Sequence, residues 1–149
     1  AASKTMADIT NQYNSREAGA TKVKVVLMDG GTWDTITGQA ALGTAVAKAA
    51  DGFKQFLAKV ASDGTVEHVV YFLCPEHSTI PGVKELRPLM KSACAQSTVP
   101  CHFLDLQDTW AGHPEYIDTS ISLAFPTPLG GQDIAEKIWG IMQANCIAQ

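Results

Sequence analysis

The stretch Val23-Lys24-Val25-Val26-Leu27-Met28-Asp29-Gly30-Gly31-Thr32-Trp33-Asp34 opens as a short apolar run rich in β-branched residues and closes in a Gly-Gly turn flanked by two aspartates. Two later runs, residues 66–73 and 99–106, have the same character. Each is continuous rather than alternating, as suits a strand buried on both faces of a parallel sheet. Between them the pattern turns helical. Leu42, Val46, Ala49, Phe53, Phe56, Leu57 and Val60 recur at helical spacing, and Asp63-Gly64 supplies the stop. Leu86, Leu89, Met90 and Ala93 mark a shorter helix, which either begins near Pro88 or kinks there. A last helix puts Ile134, Ile138, Ile141 and Met142 on one face, with Trp139 expected to pack at its core or edge. Residues 1–20 read as a weakly helical segment with Met6, Ile9 and Tyr13 inward.

Helices alternating with strands define an α/β fold, and right-handed crossovers make the sheet parallel. The 149 residues are one domain, long enough for a real core. Ligands in such folds bind at the carboxyl ends of the strands. Those ends carry Asp29 to Asp34, Cys74-Pro75-Glu76-His77-Ser78, and Asp105-Leu106-Gln107-Asp108 with His113 beyond, joined by residues 117–128.

Composition removes several function classes. The net charge of −4, with Lys and Arg scattered, gives no nucleic-acid footprint. No apolar run is long enough to span a membrane. The Gly-Gly turn has neither G-x-G-x-x-G nor a P-loop lysine, so nucleotide binding is not expected, nor is any other cofactor or metal. The four cysteines lack C-x-x-C and every zinc spacing. Cys94 closes the second helix and Cys101 opens the third strand, both at the amino-end side of the sheet. A Cys94–Cys101 disulfide is therefore favoured, Cys146–Cys101 is a rival, and Cys74–Cys146 is disfavoured because Cys74 lies at the opposite end. An exported location, extracellular or periplasmic, follows from that reading, with a cytosolic chain of buried thiols as the alternative.

The blocks around residues 25–34, Tyr71-Phe72-Leu73-Cys74-Pro75, Leu104-Asp105-Leu106, Trp110-x-Gly112-His113-Pro114-Glu115-Tyr116 and the loop-helix tail from Phe125 occur in the order found in SGNH (GDSL-type) hydrolases, which the chain resembles over residues 5–149. The resemblance implies a flavodoxin-like parallel sheet flanked by helices and hydrolysis of esters or related acyl bonds. It also implies a nucleophilic Ser in a Gly-Asp-Ser turn after the first strand, an oxyanion hole that includes Gly and Asn, and a C-terminal Asp-x-x-His. The chain departs at most of these positions. It contains no Gly-Asp-Ser, Trp33 stands at the oxyanion Asn, and Ser122 and Phe125 stand at the Asp and His. Gly31 keeps its type and Asp34 survives as the neighbouring acid, so these two are the oxyanion or binding residues carried over. A hydroxyl and a phenyl ring cannot relay a proton as a carboxylate–imidazole pair does.

Other sets of residues are weaker. Ser78 with His77 would make a nucleophile–base pair, but adjacent side chains seldom converge, and a polar loop capping the next helix is the simpler reading. His113 with Glu115 would supply a base or metal ligand; a loop histidine is simpler. His68 and His102 read as core or edge histidines, and Asp34 as a helix N-cap or Asx-turn residue. Trp33, Trp110 and Phe125 form either an apolar cleft or ordinary packing.

Three functions remain in contention. The first is a non-catalytic, self-associating structural or assembly protein derived from an SGNH hydrolase, joined to its own copies through the edge of strand 23–28, where the family's first strand is absent. The second is a secreted acyl or carboxylic-ester hydrolase whose nucleophile segment lies outside these residues. The third is a small-molecule or carbohydrate-binding module.

Overall fold

A computed structural model describes residues 4–19, 22–37, 41–120 and 123–147. Helix α1, Met6–Glu17, starts from a reciprocal cap in which Thr5 Oγ1 accepts from Asp8 N at 3.3 Å and Asp8 accepts from Thr5 N at 3.0 Å. It turns Met6 and Tyr13 into the core, with Ile9 packed beside them, as the spacing predicts. Strand β1, Val25–Met28, leads through a tight turn into α2, Thr32–Thr37, a short helix not expected from sequence. Helix α3, Leu42–Asp63, buries every residue of the expected stripe except Leu42, which is 41% exposed. It ends where Gly64 adopts a left-handed φ of 67°.

Strand β2, His68–Leu73, helix α4, Val83–Ala95, and strand β3, Cys101–Asp105, complete the crossovers. Pro88 lies within α4 rather than at its start. The sheet order is β1-β2-β3, parallel throughout, with Val26 opposite Val69 and Tyr71 opposite Phe103. The strands are shorter than the apolar runs, because their flanks serve as turns. Only β2 is buried on both faces: Val69, Val70 and Tyr71 are fully covered, whereas Leu27 on β1 is 51% exposed. Continuity of the apolar run overstated the burial of β1 and β3, which among the described residues are the edge strands of the sheet.

Val26, Met28, Val69, Tyr71, Leu73 and Phe103 face a core shared with α1, α3 and α4. Helix α5, Pro128–Ala144, packs against β2 and β3. Its start is fixed by Thr127, which accepts from Gly130 N, and by Pro128 at the first helical position. Gly130 is required there, since a Cβ would collide with the Tyr116 carbonyl oxygen. Ile134, Ile138, Ile141 and Met142 are half-buried. Trp139 does not pack as expected but is 54% exposed, because five residues of helix carry it around to the side opposite Ile134. A two-residue antiparallel bridge, β4 (Ile117–Asp118) with β5 (Phe125–Pro126), ties the long loop ahead of α5.

Cys94 and Cys101 form the expected disulfide, with Cα atoms 5.2 Å apart, and Cys74 and Cys146 are free. Among the described residues no helix is long and apolar enough to cross a membrane.

Candidate functional site

The Gly-Gly turn after β1 is held from two sides. Tyr71 donates its buried hydroxyl to the Gly30 carbonyl at 2.7 Å, and that burial raises the phenol pKa well above its ordinary value. Gly31 sits at φ 92°, and a Cβ there would come within 2.5 Å of the Met90 Cε and 3.0 Å of Leu86. Only glycine combines that backbone with so close an approach of α4.

Beside this turn runs an open groove of about 1100 Å³. Residues of β1, from Val25 to Met28, line its length, together with Ile9, Gln12, Tyr13 and Arg16 of α1. Leu123 to Pro126 and Ile134 of α5 line it too, and Trp33, Cys74, Pro75, Leu106 and Trp110 belong to the strand ends. The three rings singled out from sequence thus share one cleft: Trp110 is buried, Trp33 half-buried, and Phe125 37% exposed.

The groove offers little for acid–base chemistry. Among the described residues that line it there is no histidine. Burial, reinforced by the Asp29 charge, pushes the Cys74 thiol up to about 12, so it stays protonated and a poor nucleophile at neutral pH. Asp29 keeps contact with water at the groove mouth, yet its apolar surroundings raise its carboxyl pKa.

Asp34 lies inside α2 rather than capping its own turn. Its Oδ2 accepts from the backbone N of Met6 at 2.9 Å, so the first-turn donor it satisfies belongs to α1. Burial raises its pKa, and the Met6 hydrogen bond acts in the opposite sense. Ser122 lies outside the described residues.

Ser78 and His77 sit in the turn after β2, Ser78 exposed. His77 Nδ1 is taken by Thr79, 2.9 Å from its Oγ1 and 3.3 Å from its backbone N. Thr79 Oγ1 also accepts from Ala124 N at 2.9 Å, which ties this turn to the loop before α5. His113 is exposed, 2.9 Å from Glu115, and stacked on Tyr116 with ring centroids 4.5 Å apart. The His113 hydrogen bond lowers the Glu115 pKa. His68 and His102 face each other across β2 and β3; burial, and then His68, lower the pKa of His102. No group of three or more His, Cys, Asp or Glu among the described residues is placed to hold a metal.

Sequence reading missed Arg87, whose side chain is only 9% exposed. It pairs with Asp105, lies 3.5 Å from Glu76, and donates to the Cys74 carbonyl at 3.2 Å. One guanidinium thereby joins the loops after β2 and β3. The signal was present, since Val83, Arg87, Met90 and Cys94 are spaced as one inward stripe. No family model, curated protein or solved structure matches the chain.

Proposed function

We propose that this chain is a non-catalytic assembly protein on an SGNH-hydrolase-like scaffold, and that it joins a second copy through the edge of β1. One observation carries the reading: among the described residues β1 pairs with β2 alone, and the groove beside its other edge is open and lined mainly by apolar residues. An edge of this kind leaves alternate backbone N–H and C=O groups for a further strand. Antiparallel pairing centred on Val26 would set Val25 of one copy against Leu27 of the other, on the same face, around a two-fold axis. Such an interface is closed and self-complementary. The scaffold assignment is supported by the way the family-like segments gather: Gly30, Trp33, Cys74, Leu106, Trp110 and Phe125 all line the one groove. The Cys94–Cys101 disulfide supports an exported location.

Sedimentation over a range of micromolar concentrations tests the proposal. The expected result is a concentration-dependent dimer with slow amide exchange along Val25–Met28, and a folded monomer for Leu27→Lys. A wild-type monomer at every concentration, with those amides already protected, would overturn it.

A second reading, an ester hydrolase completed by a segment supplying the nucleophile, is favoured by the continuity of the groove between the free β1 edge and the strand ends. It requires stoichiometric labelling of one serine by a phosphonate probe. The assembly reading expects none.

A further inference from the structure

Val69, Tyr71, Cys101 and Phe103 face the core shared with α3 and α4, so His68 and His102, alternating with them, project from the other face of the sheet. The register pairs Val70 with His102, which sets His68 on the diagonal. His68 Nδ1 and His102 Nε2 lie 3.1 Å apart, with ring centroids at 5.3 Å. Both residues are half-buried and so retain access to water.

Two imidazole nitrogens bound to one ion at about 2.0–2.1 Å are separated by roughly 2.9 Å at a right angle and about 3.3 Å at the tetrahedral angle. The observed separation falls between these limits. We propose that His68 and His102 form a two-histidine site for a divalent transition-metal ion of the zinc, nickel or copper type. Imidazole is a preferred ligand for these ions, and the remaining coordination positions go to water. Binding needs only a rotation of the two rings, so that both lone pairs meet at a point beside the line joining the nitrogens. The ring proton now bridging them moves through solvent to the far nitrogen of its own ring, so no net charge is lost. The ion would cross-link β2 to β3 at their amino ends, on the opposite face from the Cys94–Cys101 bridge.

The test uses the full chain carrying Cys146→Ser, because the exposed Cys146 thiol would itself take such ions. Calorimetric titration with Zn²⁺ should give one ion per chain. His68→Asn and His102→Asn should each weaken binding at least tenfold. Should either variant fail to fold, the ring resonances of the parent decide: Zn²⁺ is expected to shift those of His68 and His102 and leave His77 and His113 in place. Binding that survives both substitutions within twofold, shifts confined to His113, or no binding at 1 mM Zn²⁺ would each overturn the assignment.

Discussion

Replacing Asp105 with Ala should cost more stability than replacing its partner Arg87 with Met, although both remove the same ion pair. The asymmetry comes from burial. The Arg87 side chain is 9% exposed, while those of Asp105 and Glu76 are 38% and 36% exposed. Without Arg87, both carboxylates can hydrate where they stand, and a Met chain refills most of the volume of the arginine stem. What is lost is a charged hydrogen bond worth about 1.5–3 kcal/mol, partly recovered by hydration, so the net cost is about 1–2 kcal/mol. Without Asp105, a buried guanidinium keeps Glu76 at 3.5 Å as its one carboxylate neighbour beside the Cys74 carbonyl at 3.2 Å, and Gln107 N loses its acceptor at 3.0 Å. Stranding one member of a buried pair costs about 3–5 kcal/mol, and Glu76 moves the expectation to about 3 kcal/mol. At this chain length each kcal/mol shifts Tm by about 2–4 °C. Urea unfolding of both single variants and the double variant, at one fixed protein concentration, gives the comparison. The double variant should be no less stable than Asp105→Ala, a coupling above about 1 kcal/mol. An Arg87→Met cost equal to or above that of Asp105→Ala, or additive effects, would refute the reasoning.

Removing the disulfide with Cys94→Ser and Cys101→Ser should lower stability by about 2–3 kcal/mol, as expected from a short closed loop, and urea midpoints with and without the bridge measure it. Asp34→Asn gives a pH test. Burial raises the folded-state Asp34 pKa above the ordinary carboxylate value, so its contribution is full below that value and is lost as pH rises through the folded pKa. Relative to Asp34→Asn, which keeps an acceptor for Met6 N, the wild type should therefore lose stability as pH rises through the ordinary carboxylate range and above it; a relative gain over that rise would show that the Met6 hydrogen bond outweighs burial.

The crossover architecture was legible because it rests on periodicity. The stripe of α3, the strand cores, the parallel order and the disulfide all follow from where apolar residues and cysteines recur. Shorter features were not, since two-residue bridges and the six-residue α2 carry no period to read. The groove was half legible. Trp33, Trp110 and Phe125 were expected to converge as one of two readings, but Tyr71 and Thr79 act through single long-range bonds that leave no local pattern, and the inward stripe that places Arg87 does not name its partners on other elements. Asp34 shows the same limit: its carboxylate lies beside a turn in sequence, yet its hydrogen-bond partner is 28 residues away.

The most telling disagreement lies in β1 itself. Edge strands of soluble monomers are guarded by lysines, prolines, bulges or a covering element. Val25–Met28 has none of these within it, and Lys24, just ahead of it, is drawn into an ion pair with Glu67. Its composition matches the interior strand β2, while its position is that of an edge. Helix α1 packs on α3 and lines the groove rather than closing it. A local sequence choice in conflict with its surroundings is the premise of the assembly proposal, which gives that conflict a resolution. Each of the two alternatives, a second copy or a further segment, resolves the conflict by laying a strand along the same edge. The Leu27→Lys experiment therefore asks whether a second copy completes the sheet, and a wild-type monomer that keeps the β1 edge bare and soluble would remove the premise.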